Sequence, residues 1–467
     1  MSLIQTLRAA LGDGAVLTQP ADRAPYEQDW RGLVNNPAVA VILPKTTEQV
    51  AAAVKLCAAH GAKIVPQGGN TGLVAGAVPV AGPDQVVLSL SRLRAVRELD
   101  TQADTITVEA GMTLAAVQQA AAEAGRFFPV SLGAEGTAQI GGNISTNAGG
   151  LQVLAYGMMR AQVLGLEVVL ADGSIWHGLS GLRKDNTGYD LKQFFIGAEG
   201  TLGIITAATL RLYPAIAAHA AAFVGVENVE QGLQIFLAMR QAAGSGLTLC
   251  EFCSHGALSL GARHTPGGRL PFEAPNYLLL ELSSLGGGGP DALMEDVLAK
   301  ALEEGRALDA AIAQSERERQ DFITLRETIS EGELREGGAV KHDVSVALSQ
   351  FPALLRATEK LIAEKYPSFR LNIYGHVGDG NLHVNVRPPE GKTMADIAGQ
   401  KAAITADVEA LAVAMGGSFS AEHGIGQMRV IGMKAHKSPL ELEMMRRIRA
   451  AFDPEGLFNP GKTIPEA

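Results

Sequence analysis

The sequence predicts an α+β fold of more than one domain, and three observations carry that expectation. The chain has 467 residues, more than one hydrophobic core usually holds. Its first part alternates β-rich and helical runs, but hairpins and long loops interrupt the alternation, which argues against a doubly wound parallel sheet. After Tyr213-Pro214 the texture changes to strands separated by long Ala/Leu/Glu helices. The boundaries read from this are an N-terminal segment 1–36, a first domain 37–214, a second domain 215–420 and a segment 421–467. The last is too short to fold alone and is expected to dock back on the first domain.

Each element has its own signal. V-A-V-I-L-P, Val39 to Pro44, reads as a buried strand. The run that follows starts at a threonine cap and ends at Gly61, with Val50, Val54 and Cys57 at helical spacing, and K-I-V-P continues as the next strand. Together they make a βαβ unit. Further strands are expected at Val86–Leu90, Thr105–Glu109, Val163–Ala171, Ser174–His177 and Ile204–Leu212, with a helix at Leu114–Ala124 closed by Gly125. The second domain is expected to alternate strands such as Asn276–Leu282 with long helices, and one helix, Leu440–Ala451, is expected in the last segment.

Composition removes several function classes. Hydrophobic residues make up 47% of the chain and charged residues 19%, the balance of a globular protein. Three cysteines leave at least one unpaired, which argues for a reducing compartment and against a disulfide framework. A net charge of −10 and a pI near 5.6 give no general attraction to nucleic acid or anionic membrane, while leaving room for a local basic pocket. The N-terminus lacks the apolar stretch and A-x-A site of a signal peptide, and no run approaches 18 apolar residues. A cytoplasmic protein without a membrane span is expected.

Two loops are dense in glycine: P-Q-G-G-N-T-G-L-V-A-G-A-V-P, Pro66 to Pro79, and S-L-G-A-E-G-T-A-Q-I-G-G-N-I-S-T-N-A-G-G, Ser131 to Gly150. Glycines that expose backbone N–H groups, interleaved with Asn, Thr and Ser, build anion-binding concavities without lysine. Each loop alone also reads as a tight turn. No G-x-G-x-x-G opens a helix after a strand, so a nicotinamide-binding Rossmann fold is unsupported. Gly456 to Thr463 spells a P-loop, but with four residues left no helix can follow, and the match is a coincidence.

These loops, with Y-D-L-K-Q-F-F-I-G-A-E-G-T-L-G-I-I-T (Tyr189 to Thr206) and the closing F-N-P-G-K, resemble the FAD-binding domain of the vanillyl-alcohol oxidase type flavoproteins. Within them the chain is similar, over nearly its whole length, to the D-2-hydroxyacid dehydrogenases of the D-2-hydroxyglutarate and D-lactate group. The resemblance implies a two-subdomain FAD domain, an α+β substrate domain with an antiparallel sheet, and a small C-terminal segment. It places Pro66, Gln67, Gly68, Gly69, Asn70, Thr71 and Gly72 around the diphosphate, and Ser131, Gly133, Gly142, Asn143, Thr146, Asn147 and Gly149 along the ribityl and ring region. Glu199, Gly200, Gly203 and Ile205 are expected on the adenine side, with Asn459 and Lys462 returning from the C-terminus. The first loop has no His, Cys or Tyr, so the flavin is expected to be non-covalent.

H-V-G-D-G-N-L-H-V-N-V, His376 to Val386, sets an imidazole on each side of a turn. Two histidines are either incidental or part of a metal site that needs a third ligand. S-A-E-H-G-I-G offers Glu422 and His423. The resemblance implies that His376, His383 and Glu422 hold one divalent metal, zinc first with manganese, cobalt or iron as alternatives, and that His423 is the catalytic base. It also implies substrate contacts at Arg326, Ser330, Lys341 and Asn385, with serine standing where the D-2-hydroxyglutarate enzymes usually have threonine. Arg326 and Lys341 would suit a distal carboxylate, which favours D-2-hydroxyglutarate, then D-malate. Electrons would pass to an electron-transferring flavoprotein or a quinone, and a homodimer is implied at family level. Competing expectations are a D-lactate dehydrogenase, a flavin subunit of a glycolate oxidase, and a non-redox transferase similar to alkyl-dihydroxyacetonephosphate synthase. Cys250 and Cys253, a C-x-x-C in a strand-like run, read as packing or surface residues.

Overall fold

The computed structural model describes residues 1–82, 84–286 and 288–466. The chain divides into two compact units, the first built from residues 1–150, 157–215 and 422–467 and the second from 151–156 and 216–421.

The first unit holds two main sheets. The smaller has the strands Ala40–Ile42, Gln85–Ser89 and Lys63–Gln67 in parallel, with Val16–Leu17 antiparallel at its edge. The helix Thr47–Ala59 supplies the crossover of the expected βαβ unit. It starts where the Thr46 hydroxyl accepts the Gln49 N–H, and it stops before Gly61, whose φ of +69° ends the helical path. The second sheet is antiparallel, in the order Val96–Asp100, Thr105–Glu109, Ile204–Arg211, Val163–Val169, Ile175–Gly178. Its edge strand Val96–Asp100 gave no signal in the sequence because V-R-E-L-D is mostly exposed and lacks an apolar face. A single core, including Ile42, Val54, Leu88, Val108, Leu166 and Ile204, backs both sheets. Into it runs Phe458, fully buried, beside Ile64. The Ile64 N–H donates to the Leu457 carbonyl, and the Asn459 N–H donates to the Ile64 carbonyl.

The second unit is organised by a seven-stranded antiparallel sheet, ordered Asp309–Ile312, Ala218–Val226, Asn276–Ser284, Leu247–Ser254, Arg370–His376, Asn381–Arg387, Val340–Ser345. Side chains alternate across it. One face, with Phe252, Leu278, Leu280, Val384 and Val386, packs under residues of the helices Val229–Ala243, Pro290–Glu303 and Phe351–Lys365. The opposite face, with Leu249, Cys253, Tyr277, Leu279 and Tyr374, meets Leu258, Leu325 and Ile329 of two other helices. Cys250 and Cys253 are therefore buried on opposite faces and cannot share a metal or form a redox pair. Burial pushes the Cys253 thiol up to about 12, so both behave as packing residues.

Phe458→Ala should remove about 3–5 kcal/mol of stability by opening a cavity in the first unit's core. Thermal unfolding reads this directly, and an unchanged midpoint would show that the C-terminal segment does not support the fold.

Candidate active site

In the first unit the two glycine loops are pressed together. A Cβ on Gly69 would lie 1.9 Å from the Thr137 carbonyl oxygen, and one on Gly150 would lie 1.9 Å from that of Ser131, so only glycine fits at either place. Gln67 closes the first loop by donating to the carbonyls of Tyr26 and Ala77, 2.9 and 2.8 Å away. Asn70 and Asn147 take left-handed φ values of 53° and 49°, which turn the backbone without glycine. Around Gly72, Gly133 and Gly142 a Cβ would meet nothing within 4 Å, so the loops border open space. In the second loop the Gln139 Oε1 and Asn143 Nδ2 atoms are buried without a partner in the protein. Leaving such atoms unpaired costs about 1–3 kcal/mol each, a cost that a hydrogen-bonding ligand removes. The donor-rich, lysine-free cradle fits a diphosphate and a polar ring system.

Glu199, Asn459 and Lys462 brace this cradle. Lys462 is fully buried and donates to the carbonyls of Gly76 and Val78 and to Asn459 Oδ1, at 2.9, 2.6 and 2.7 Å. Asn459 Nδ2 donates to the carbonyls of Gly76 and Glu199. The Glu199 carboxylate accepts the N–H groups of Ile425 and Gly426 at 2.8 and 2.7 Å, which fixes the turn that carries Glu422 and His423. Burial pushes the Glu199 carboxyl up against the opposing effect of those bonds. Burial pulls Lys462 down to about 7, although Glu199 acts to raise it. Gly200 packs against Pro66, Gly203 against Val168, and Ile205 is buried in the sheet. Thr146 donates to the Gly142 carbonyl, closing the short helix Ile140–Ser145. Glu199, Asn459 and Lys462, expected at the cofactor, therefore act at least as structural braces of the loops that would hold it.

The second unit gathers His376, His383, Arg326, Ser330, Lys341 and Asn385 at one sheet face, while Glu422 and His423 belong to the first unit, and register decides who meets whom. Glu251 lies opposite His376; Tyr374 lies opposite His383, which lies opposite Asp343; Asn372 lies opposite Asn385, which lies opposite Lys341. The His376 and His383 rings stand 5.4 Å apart at 76°. Between them the hairpin turns at Gly380, φ +77°, where a Cβ would lie 2.1 Å from the Val346 carbonyl. The helix Glu316–Arg335 brings Arg326, Ser330 and Glu333 over this face, spaced by four and three residues and so on one side.

Three carboxylates that sequence reasoning passed over organise this face. Glu251, 1% exposed, accepts from Arg326 Nε at 2.6 Å and pairs closely with His376 Nδ1. Burial opposes its ionisation, but Arg326 and His376 outweigh burial and hold the carboxyl well below the usual range. With Nδ1 directed at Glu251, His376 presents Nε2 as its lone-pair atom. Asp343 lies 3.9 Å from His383 Nδ1 and accepts from Asn381 Nδ2 at 2.8 Å. The Ala421 N–H donates to the Asp343 carbonyl, and Glu422 and His423 are the next two residues of the chain. Glu333, wholly buried, accepts from Lys341, Asn372 and Asn385. Ser330 shares a hydrogen bond with the Tyr374 hydroxyl at 2.9 Å, and the Arg326 guanidinium sits 4.8 Å from the centre of the Tyr374 ring. The signals for these carboxylates were present: Glu251 is the one charge in an otherwise buried strand, and Glu333 keeps helical phase with Arg326.

Comparison with known proteins agrees with both halves. Residues 38–178 match the FAD binding domain family and residues 217–463 match the FAD linked oxidases, C-terminal domain. The chain therefore belongs to the FAD-linked oxidases. Its relatives place it within them among the D-2-hydroxyacid dehydrogenases. It is 38% identical over 453 residues to the mitochondrial D-2-hydroxyglutarate dehydrogenase of Bos taurus, covering 97% of this chain and 81% of that protein. It is 36% identical to the D-2-hydroxyglutarate dehydrogenase of Stutzerimonas stutzeri, covering 99% and 98%. The fold matches p-cresol methylhydroxylase, with a TM-score of 0.75 at 17% identity and coverage of 99% and 96%. It also matches alkyldihydroxyacetonephosphate synthase, at 0.72 and 14% with coverage of 98% and 84%. These confirm the vanillyl-alcohol oxidase type of fold. Among the described residues no helix is long and apolar enough to cross a membrane.

Lys462 gives a pH test. Its value of about 7 lies below the ordinary 10.5, so between these limits the unfolded chain holds more protons, and stability from this group rises with pH. The thermal midpoint of the wild type minus that of Lys462→Met is expected to widen from pH 7 to about pH 9. A gap that narrows over that range contradicts the assignment.

Proposed function

We propose that the protein oxidises a D-2-hydroxyacid to the 2-oxoacid using non-covalent FAD and one divalent metal, with D-2-hydroxyglutarate the leading substrate and D-malate next. The observation that carries this reading is the sheet face on which His376 and His383 stand beside Arg326, Ser330, Lys341 and Asn385. The two relatives named above are called D-2-hydroxyglutarate dehydrogenases, which supports the substrate.

When bound, FAD supplies the acceptor for the hydride from C2. A metal held by His376, His383 and Glu422, zinc first, supplies a Lewis acid for the hydroxyl and C1 carboxylate. The chain's own residues do the rest. Glu251 engages His376 through Nδ1, which would leave Nε2 as the atom offered to the metal. His423, as a neutral imidazole, takes the hydroxyl proton. Arg326 and Lys341, with Ser330 and Asn385 beside them, orient the far end of the substrate. The chain has no nicotinamide motif, which supports transfer of the electrons to an electron-transferring flavoprotein or a quinone.

Anaerobic mixing with D-2-hydroxyglutarate, D-malate, D-lactate, their L-isomers and glycolate tests the reading. Bleaching of the flavin absorbance by D-isomers is expected; bleaching by L-isomers alone, or by none, would refute it. His376→Ala is expected to abolish turnover while the protein stays yellow, because the flavin loops lie in the first unit. Retained turnover would remove His376 from the site.

A further inference from the structure

Resting on that reading, we propose that Glu333 is a specificity-determining residue that lowers the enzyme's preference for a second carboxylate on the substrate. Its carboxylate is wholly buried and accepts four hydrogen bonds or ion-pair contacts. Asn385 Nδ2 donates to Oε1 and Oε2 at 3.0 and 3.1 Å, Asn372 Nδ2 donates to Oε1 at 3.2 Å, and Lys341 Nζ stands 3.0 Å from Oε2. Lys341 in turn donates to Ser330 Oγ at 3.3 Å. Two of the four residues placed at the substrate, Lys341 and Asn385, therefore already spend donors on an internal carboxylate. Glu333 occupies the partners that a substrate's distal carboxylate would seek.

The charges follow. Arg326 is matched by Glu251 and Lys341 by Glu333, so the four groups sum to zero before any ligand arrives. An incoming distal carboxylate gains a lysine whose field is already offset, and it also meets the negative charge of Glu333 at short range. Both effects penalise a dianion and leave an uncharged tail unaffected. The site then accepts five-carbon D-2-hydroxyacids with an uncharged tail nearly as well as the dicarboxylate of the same length.

The test compares D-2-hydroxyglutarate with D-2-hydroxyvalerate on the FAD- and metal-loaded enzyme. The wild type is expected to show a kcat/KM ratio between them below about tenfold. Glu333→Gln keeps the shape and an acceptor oxygen but removes the charge, and it should raise the ratio by about tenfold or more, through a lower KM for the dicarboxylate. Glu333→Asp keeps the charge and should leave the ratio near the wild-type value. A wild-type ratio of about a thousandfold, or a Gln variant with an unchanged ratio, overturns the assignment. Should Glu333→Gln not fold, the wild-type ratio alone decides. Failure of both acids to reduce the wild-type flavin overturns the functional reading itself, whereas reduction with an unmoved ratio overturns only the role of Glu333.

Discussion

Charge buried on a sheet face must be matched where it stands, and that constraint shapes the second unit. Removing a carboxylate or a guanidinium from water costs several kcal/mol, and only a well-placed partner recovers it. Glu251 meets this constraint for Arg326 and His376 together: one oxygen takes the guanidinium and the other takes the imidazole. Strand register does the placing. Because side chains alternate and Glu251 lies opposite His376, a slip of one residue in the Glu251 strand would turn Glu251 into the apolar core on the other face and leave His376 without it. The same arithmetic repeats one row along, where Asp343 stands opposite His383, and again where Glu333 gathers Lys341, Asn372 and Asn385.

The first unit solves a related problem with loops. Its glycine-rich segments leave carbonyls and amides facing inward, and Lys462 and Asn459 satisfy the carbonyls while Glu199 satisfies two N–H groups of the Glu422–Gly426 turn. The C-terminal segment reaches these positions because Phe458 is anchored beside Ile64. A buried lysine with three acceptors thus ties the first glycine loop to the C-terminal segment, and within the literal P-loop spelling Lys462 is a structural residue that donates to Gly76, Val78 and Asn459.

Much of this was legible before any coordinates. The βαβ unit, most of the first unit's antiparallel strands, the helix near the C-terminus and the two glycine loops follow from alternation, caps and turn residues that act locally. The Val96–Asp100 strand did not, because an exposed edge needs no apolar pattern. At the site, the residues found were those embedded in motifs, such as His376 and His383 around Gly380. Those missed were Glu251, Glu333 and Asp343, whose roles depend on neighbours up to 125 residues away. For Glu251 the signal is a lone charge in a buried strand, and it says that a partner exists without saying which. The roles expected for Arg326 and Lys341 are sharpened by the same finding, since each stands at this sheet face already paired.

If Glu251 holds the His376 imidazole, proposed as a metal ligand, and the Arg326 guanidinium in place together, its charge is needed by the second unit and not by the flavin. The direct test is Glu251→Gln, with flavin absorbance, bound metal and anaerobic reduction by D-2-hydroxyglutarate measured on the same preparation. Full flavin content, metal affinity lowered by about 10–100-fold and correspondingly slowed reduction are expected. Wild-type metal content with an unchanged reduction rate would contradict it.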